Sequence, residues 1–294
     1  MSFGYNTLGF GAFPNRGPTF LKIIDVLTDN SLTTNLKVCL DAADENSYTS
    51  GQLWSDVSGE DNHFEFGASA SAGSDDPNFN GTAGDQSSLE FMSYDDDDGD
   101  GGALEFHRIA SQPAMAETLH KDGAVWSACC WVYPKNHSVI FSTGSAGWVQ
   151  GINYRVSGAK QSIFIGSAPT GGNYVLALTA ETAMALDEWH FCGISINEPD
   201  TSGGFMYLDG GYDQVGARNG DAITAADTFD PTYNSPTTNN STNRLTVAKG
   251  SVSSNQGPSD IGLRFGAVAM WQGSVLSKAN FDTIWAASKG RYGK

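Results

Sequence analysis

From residue 36 onward, apolar positions recur at every second residue in short bursts, separated by clusters of Gly, Asp, Asn, Ser and Pro. That period puts successive side chains on opposite faces of a strand, and it predicts strands over 36–40, 63–66, 88–92, 104–109, 125–133, 138–141, 149–155, 162–165, 174–178, 189–196, 205–208, 244–248 and 262–271. Many short strands at close spacing make an all-β sandwich or jelly roll. In Tyr154-Arg155-Val156, Leu89-Glu90-Phe91 and Leu104-Glu105-Phe106 the charged residue is expected to face out and its neighbours in.

Two segments carry helical spacing. Over 19–27, Phe20, Ile23, Ile24 and Leu27 fit a helix with Thr19 as its cap, while their β-branched content also allows a strand. Near the C-terminus, Ser277 can cap a helix in which Phe281, Ile284 and Trp285 share a face and which Gly290 ends. Residues 69–87 and 216–243 read as long loops, the places where a rigid sandwich tends to carry recognition. Residues 1–19 mix Gly, Asn and Pro with Phe3, Tyr5, Phe10 and Phe13. They read as an arm lying on the body or on a partner subunit, or as a loose terminus. The expected division is an N-terminal arm over 1–35 and one sandwich domain over 36–294.

A chain of 294 residues is within reach of one large β domain and buries enough surface to need no disulfide or metal staple. The net charge of −17 comes mostly from Asp, which goes with turns, and excludes a nucleic-acid partner, because binding a polyanion needs a basic stripe. The bases concentrate late: Arg244, Lys249, Arg264, Lys278, Lys289, Arg291 and Lys294 lie in 241–294 against Asp260 and Asp282. This tail is read either as a docking surface or as a solvated helix face. No secretory signal or membrane span is visible, so a soluble chain made in a cytoplasm, without membrane insertion, is expected. Cys39, Cys129, Cys130 and Cys192 sit in strand-like contexts without zinc or redox spacing, which predicts free buried thiols, with Cys129 and Cys130 on opposite faces. Without a signal, the sequons beginning at Asn80, Asn136, Asn239 and Asn240 are read as chance matches.

Four separated segments carry a family resemblance. Leu40-Asp-Ala-Ala-Asp-Glu-Asn-Ser-Tyr48, followed by Trp54-Ser-Asp-Val-Ser-Gly-Glu-Asp-Asn-His63, resembles the opening of the concanavalin A-like, laminin G-like jelly-roll domains of bacteriophage structural proteins. Trp126 to Tyr133 with Pro134 resembles their apolar core strand. Asp187-Glu-Trp-His190 with Phe205-Met-Tyr-Leu-Asp-Gly210 resembles a strand pair, and Leu276 to Gly293 the closing helix and tail. In the residues themselves, Trp54 and Trp189 are expected to anchor the space between two sheets. Asp56, Ser58, Gly59 and Asn62 have the chemistry of a tight loop bonding back to the backbone.

What the resemblance implies is a non-enzymatic virion protein assembled in the host cytoplasm, either a head decoration or a fibre-attachment component. Its partners would be other capsid or fibre proteins and further copies of itself, for which a trimer is suitable. The N-terminal segment Ser2 to Gly11 resembles virion attachment arms. The alternative is a receptor-binding module that recognises host surface glycans, with or without calcium.

Chemistry is sparse. Glucan hydrolases on related jelly rolls place Glu-x-Asp-x-(x)-Glu on one strand; Glu198-Pro-Asp200 supplies the first two letters, but no third acid follows and its proline breaks a central strand, so it reads as a turn. Neither Gly-x-Ser-x-Gly nor His-Glu-x-x-His occurs. In Tyr94 to Gly102, Asp96, Asp98 and Asp100 with Gly101 match the first half of a calcium loop, but His107 stands where a bidentate glutamate is needed. Two readings stay open there: calcium held with a borrowed ligand such as Glu105, or an acidic hairpin tip in solvent. For stacking on a sugar, Trp148, Tyr154, Tyr212 and Tyr233 with the 234–243 loop are the candidates. The histidines His63, His107, His120, His137 and His190 have no ligand spacing.

Overall fold

The structure, a computed structural model, describes residues 20–67, 71–73, 76–85, 89–94, 106–108, 119–120, 123–143, 150–167, 174–180, 182–197, 204–213, 245–249 and 260–294. Two antiparallel sheets face each other. The first runs β14 (Gly211–Asp213), β13 (Gly204–Leu208), β12 (His190–Asn197), β7 (Val125–Tyr133), β16 (Arg264–Gln272), β5 (Phe91–Ser93) and β4 (Asn78–Asn80). β1 (Leu36–Asp41) pairs with β16 from Leu36↔Trp271 to Asp41↔Ala267, and β5 meets β16 at Arg264 and Phe265, so β1 and β5 lie end to end along one edge. The second runs β11 (Tyr174–Thr179), β10 (Lys160–Ser167), β9 (Gln150–Ser157), β8 (His137–Ser142), β15 (Thr246–Val247), β6 (Phe106–Arg108), β3 (Phe64–Phe66) and β2 (Leu53–Trp54).

Alternation along β7 sorts the layers. Trp126, Ala128, Cys130 and Val132 face the second sheet, where Trp126 meets Phe141 edge-on at 5.9 Å. Ser127, Cys129, Trp131 and Tyr133 face outward, and that outer face is covered by α1 (Ile23–Asp29), α2 (Lys278–Ser288) and the 3₁₀ turn Lys289–Tyr292. Trp131 stacks on Tyr292 with centroids 4.1 Å apart and donates its Nε1–H to Ser288 Oγ at 2.8 Å. Phe281 of α2 lies over Gly193, where a Cβ would stand 3.0 Å from its ring. Trp271 donates to Leu32 O at 2.7 Å, fastening the link between α1 and β1.

The strand pattern locates the sheets well: each expected segment overlaps an observed strand. It misses β2, β4 and β14. β4 lies in the stretch 69–87 expected to be loop; its Asn78-Phe79-Asn80 is too polar and too short to alternate visibly, yet it pairs with β5 at the sheet edge. Residues 20–35, expected as part of the arm, include a helix packed on the body, with Ile23, Val26 and Leu27 buried. Residues 1–19 lie outside the described residues. The helix reading of 19–27 holds from Ile23 onward, while Thr19, the expected cap, lies outside the described residues. Helix α1 starts after Lys22, which makes no capping bond, and Ile23 N–H is taken by Asp41 Oδ2 at 2.8 Å.

Helix α2 begins as expected. Ser277 Oγ accepts from Asn280 N–H, and Ser277 N–H donates to Asn280 Oδ1, a reciprocal capping box. Gly290 does not end the helical segment: the chain tightens into the 3₁₀ turn because Arg291 and Tyr292 are drawn into the core, and Gly293, at φ 71°, closes it.

Glu90 reverses its expected orientation. It is fully buried, and Leu89 and Phe91 are half-buried. Gly81 makes room for it, since a Cβ there would meet Glu90 Cγ at 2.9 Å. Arg155 does lie partly exposed between buried Tyr154 and Val156.

All four cysteines are free and buried, with Cys130 directly opposite Cys192 across β7 and β12. Burial pushes the thiols of Cys39, Cys129 and Cys130 up. The native protein at pH 8 will therefore react with Ellman's reagent only after a denaturant is added. A fast native-state burst would contradict this core. Among the described residues no helix is long and apolar enough to cross a membrane.

Candidate functional site

Asp96, Asp98 and Asp100 lie outside the described residues, as do Glu198 to Asp200, Trp148, Tyr233 and the whole 216–243 loop. Among the described residues no group of three or more His, Cys, Asp or Glu is arranged to hold a metal ion. Tyr154, a candidate for stacking on a sugar, is fully buried; its hydroxyl faces Gln161 Oε1 and Gly193 O between the sheets, so no ligand reaches its ring. Tyr212 falls on β14, where only the backbone is described.

The motifs that carry the resemblance turn out to be fastenings. Asp56 accepts from Cys39 N–H at 2.7 Å, Ser58 N–H at 2.9 Å, Ser58 Oγ–H at 2.7 Å and Asn62 N–H at 3.0 Å, tying the 56–62 loop to β1. His190 brings Nδ1 within 2.6 Å of Asp209 Oδ2 and Nε2 within 2.8 Å of Ala185 O, and Asp209 Oδ1 accepts from Phe191 N–H at 2.7 Å. This clamps the start of β12 to the end of β13.

Asp41 joins the first motif to the last. Arg291 Nη1 donates to its Oδ1 at 2.7 Å and Nη2 to Glu90 O at 3.3 Å; Ala43 N–H and Ile23 N–H complete the carboxylate. Both partners are buried. Burial works against the Arg291 charge, but Asp41 and its neighbours more than offset this and hold the guanidinium protonated. Tyr292 beside it is pushed up by burial, against the pull of Arg291. The Asp41 carboxylate is closed to any substrate.

The basic tail is not one surface. Arg291 is used internally, Lys278 lies on Asp282 at 2.7 Å, Lys294 on Glu188 at 3.2 Å, and Lys289 over the Trp285 ring at 4.2 Å; Arg244 is outside the described residues.

Arg264 stands apart. At the start of β16 it is paired in register with Tyr133 on β7 and Ser93 on β5, so it shares the outer face with Tyr133 and, one diagonal away, Phe91. Its guanidinium lies 4.6 Å from the Tyr133 centroid and 5.0 Å from that of Phe91. Trp189 meets both rings edge-on, at 5.8 and 5.7 Å, and Tyr292 at 5.0 Å. Trp189 thus packs on the outer face and not between the sheets as expected, whereas Trp54 is fully enclosed in the core.

The rim of this patch is polar. Asn80, opposite Phe91, donates to Ser93 Oγ at 2.7 Å, and Lys135 pairs with Asp187 on the far side, its Nζ 5.6 Å from the Tyr133 centroid. Phe91, Tyr133 and Arg264 are half-buried, and α2 and the 3₁₀ turn cover the neighbouring part of the same face. The arrangement brings apolar ring surface, a planar amide and a cation together on one face of the sheet, the chemistry that orients a small polar ligand. Sequence reasoning missed it because it set Phe91 and Trp189 facing the core. The available signal was Arg264 itself, a cation opening a nine-residue strand that is otherwise almost wholly apolar.

No protein-family model matches the chain, and no curated protein sequence does. Solved structures match it in fold. A Trypanosoma rangeli sialidase in complex with sialic acid aligns at TM-score 0.51 and 12% identity, over 89% of this chain and 34% of that one. The binding domain of botulinum neurotoxin serotype D aligns at 0.50 and 11%, over 87% and 53%. A structure of botulinum neurotoxin type C, whose cell entry depends on interaction with two ganglioside molecules, aligns at 0.54 and 10%, over 87% and 52%. The chain spans about a third of the sialidase and about half of each toxin structure. At these identities the likeness is one of fold: an all-β sandwich with a short C-terminal helix.

Proposed function

We propose that this chain is a non-enzymatic recognition module, a lectin-like sandwich on a phage virion that holds a host surface glycan on the patch formed by Phe91, Tyr133, Trp189 and Arg264. The observation that carries this reading is the patch itself: half-buried rings flanking a cation, with Asn80 at the rim. Sugars present both an apolar ring face and a circle of hydroxyls, and such a surface meets both needs. The fold neighbours lend support, since one is a sialidase in complex with sialic acid and another a toxin whose cell entry depends on interaction with gangliosides. The virion setting rests on the sequence resemblance.

Glycan recognition is preferred here over the decoration or fibre-attachment role because the described bases of the C-terminal region are largely used inside the chain. An enzymatic reading is set aside because Asp41, the carboxylate tied to Arg291 on the outer face, is sealed from solvent, and Asp187 at the rim of the patch is engaged by Lys135. The test is a broad glycan panel probed with the full chain, with and without a calcium chelator. Saturable binding to one glycan class, with the glycan recovered unchanged, is expected. Shortened products would make the chain a hydrolase, and an empty panel would remove the recognition reading.

A further inference from the structure

The electrostatics of the patch narrow its ligand. Lys22, Lys37, Lys135, Lys278, Arg291 and Lys294 each lie on a carboxylate. Arg264 has neither a carboxylate nor any other hydrogen-bond acceptor for its side chain among the described residues, and its Nε is enclosed without a partner. Scarcity of acids is not the reason, since the chain carries 33 of them against 16 bases. The rest of the side chain is half-buried, and its terminal N–H groups have no acceptor among the described residues, which an incoming anion supplies.

Geometry favours a planar, bidentate anion. The guanidinium is held between the rings of Phe91 and Tyr133, so its rotamer is already restricted and binding orders little more. The rings on either side shield the half-buried guanidinium from part of the surrounding water, which strengthens a charge-assisted hydrogen bond made there. The terminal N–H groups of arginine form a fork that matches two carboxylate oxygens.

Resting on the glycan reading above, we infer that the ligand is an acidic sugar whose carboxylate is taken by Arg264, with its apolar face against Tyr133 or Phe91 and a hydroxyl toward Asn80. A sialic acid and a hexuronic acid share this chemistry. The full chain is therefore titrated with three sets of oligosaccharides: sialylated, uronate-containing, and the same compounds with the carboxylate reduced to an alcohol. Arg264→Gln, Arg264→Lys and, as a charge control in the other sheet, Lys160→Gln are titrated alongside, each checked for an unchanged melting transition.

One acidic set should bind at least about tenfold more tightly than its reduced counterpart, the range expected for a charge-assisted bidentate contact. Arg264→Gln should erase that advantage, Arg264→Lys should keep part of it, and Lys160→Gln should keep all of it. Equal binding of acidic and reduced glycans, or an Arg264→Gln variant that keeps the preference, would overturn the carboxylate assignment and leave the glycan reading standing. Absence of binding to every set overturns both.

Discussion

Replacing Arg291 by Met will destabilise the fold by about 3–5 kcal/mol, because the change leaves Asp41 ionised and buried with only backbone donors. The pair is sealed, its distance is 2.7 Å, and it spans the chain, joining β1 to the 3₁₀ turn 250 residues away. The same carboxylate also takes Ile23 N–H at the start of α1, so its three attachments hold the N-terminal helix, the edge strand and the C-terminal turn together. Removing both charges is a different matter, since paired burial of charge contributes little beyond what neutral packing supplies. Asp41→Asn in the Arg291→Met background should restore more than half of the lost stability. Urea unfolding of the two variants checks this; a single variant within about 1 kcal/mol of the parent would show that the pair is not a fastening.

Gly266→Ala will be almost as damaging for a steric reason. A Cβ at this position of β16 would stand 2.2 Å from Tyr292 Oη and 2.4 Å from its Cε1, closer than any real contact. Tyr292 is buried on Trp131 and cannot swing aside without losing that stack, so the expected cost is about 3 kcal/mol or more. The effect must depend on the ring. In a Tyr292→Ala background the added methyl enters a cavity, and Gly266→Ala should cost little or even stabilise. Additive losses in the double variant, measured by the same unfolding experiment, would show that Tyr292 is not what the glycine accommodates.

These two sites show which parts of the molecule were legible in the sequence. The strands over 125–133 and 262–271 are long enough for their apolar character to stand out, and both form where expected. The capping signal at Ser277 was equally local and equally reliable. Sequence pattern assigned sides wrongly where a third layer intervenes. Residues 88–92 alternate clearly, but alternation does not say which face is the inner one, and a buried Glu90 beside Arg291 reverses the usual preference. Trp189 was misplaced for the same reason: a large apolar residue can be enclosed by a helix and turn on the outer face as well as by a second sheet. Those two assignments hid the patch, because it exists only once Phe91 and Trp189 both face outward beside Arg264. The partners of Asp41 and Asp56 were invisible for another reason, since bonds between Asp41 and Arg291 or between Cys39 and Asp56 depend on tertiary register.

The measurement that bears most directly on the recognition claim compares glycan binding by the full chain with that of a Phe91→Ala/Tyr133→Ala double variant, on the glycan class that the panel selects. Both rings are half-buried on the outer face, so their loss should leave the sandwich folded, with the melting transition still cooperative. The account predicts that affinity falls at least about tenfold, as expected when central aromatic contacts are removed from a binding site. Unchanged affinity in a folded double variant would place recognition elsewhere on the molecule and contradict the account.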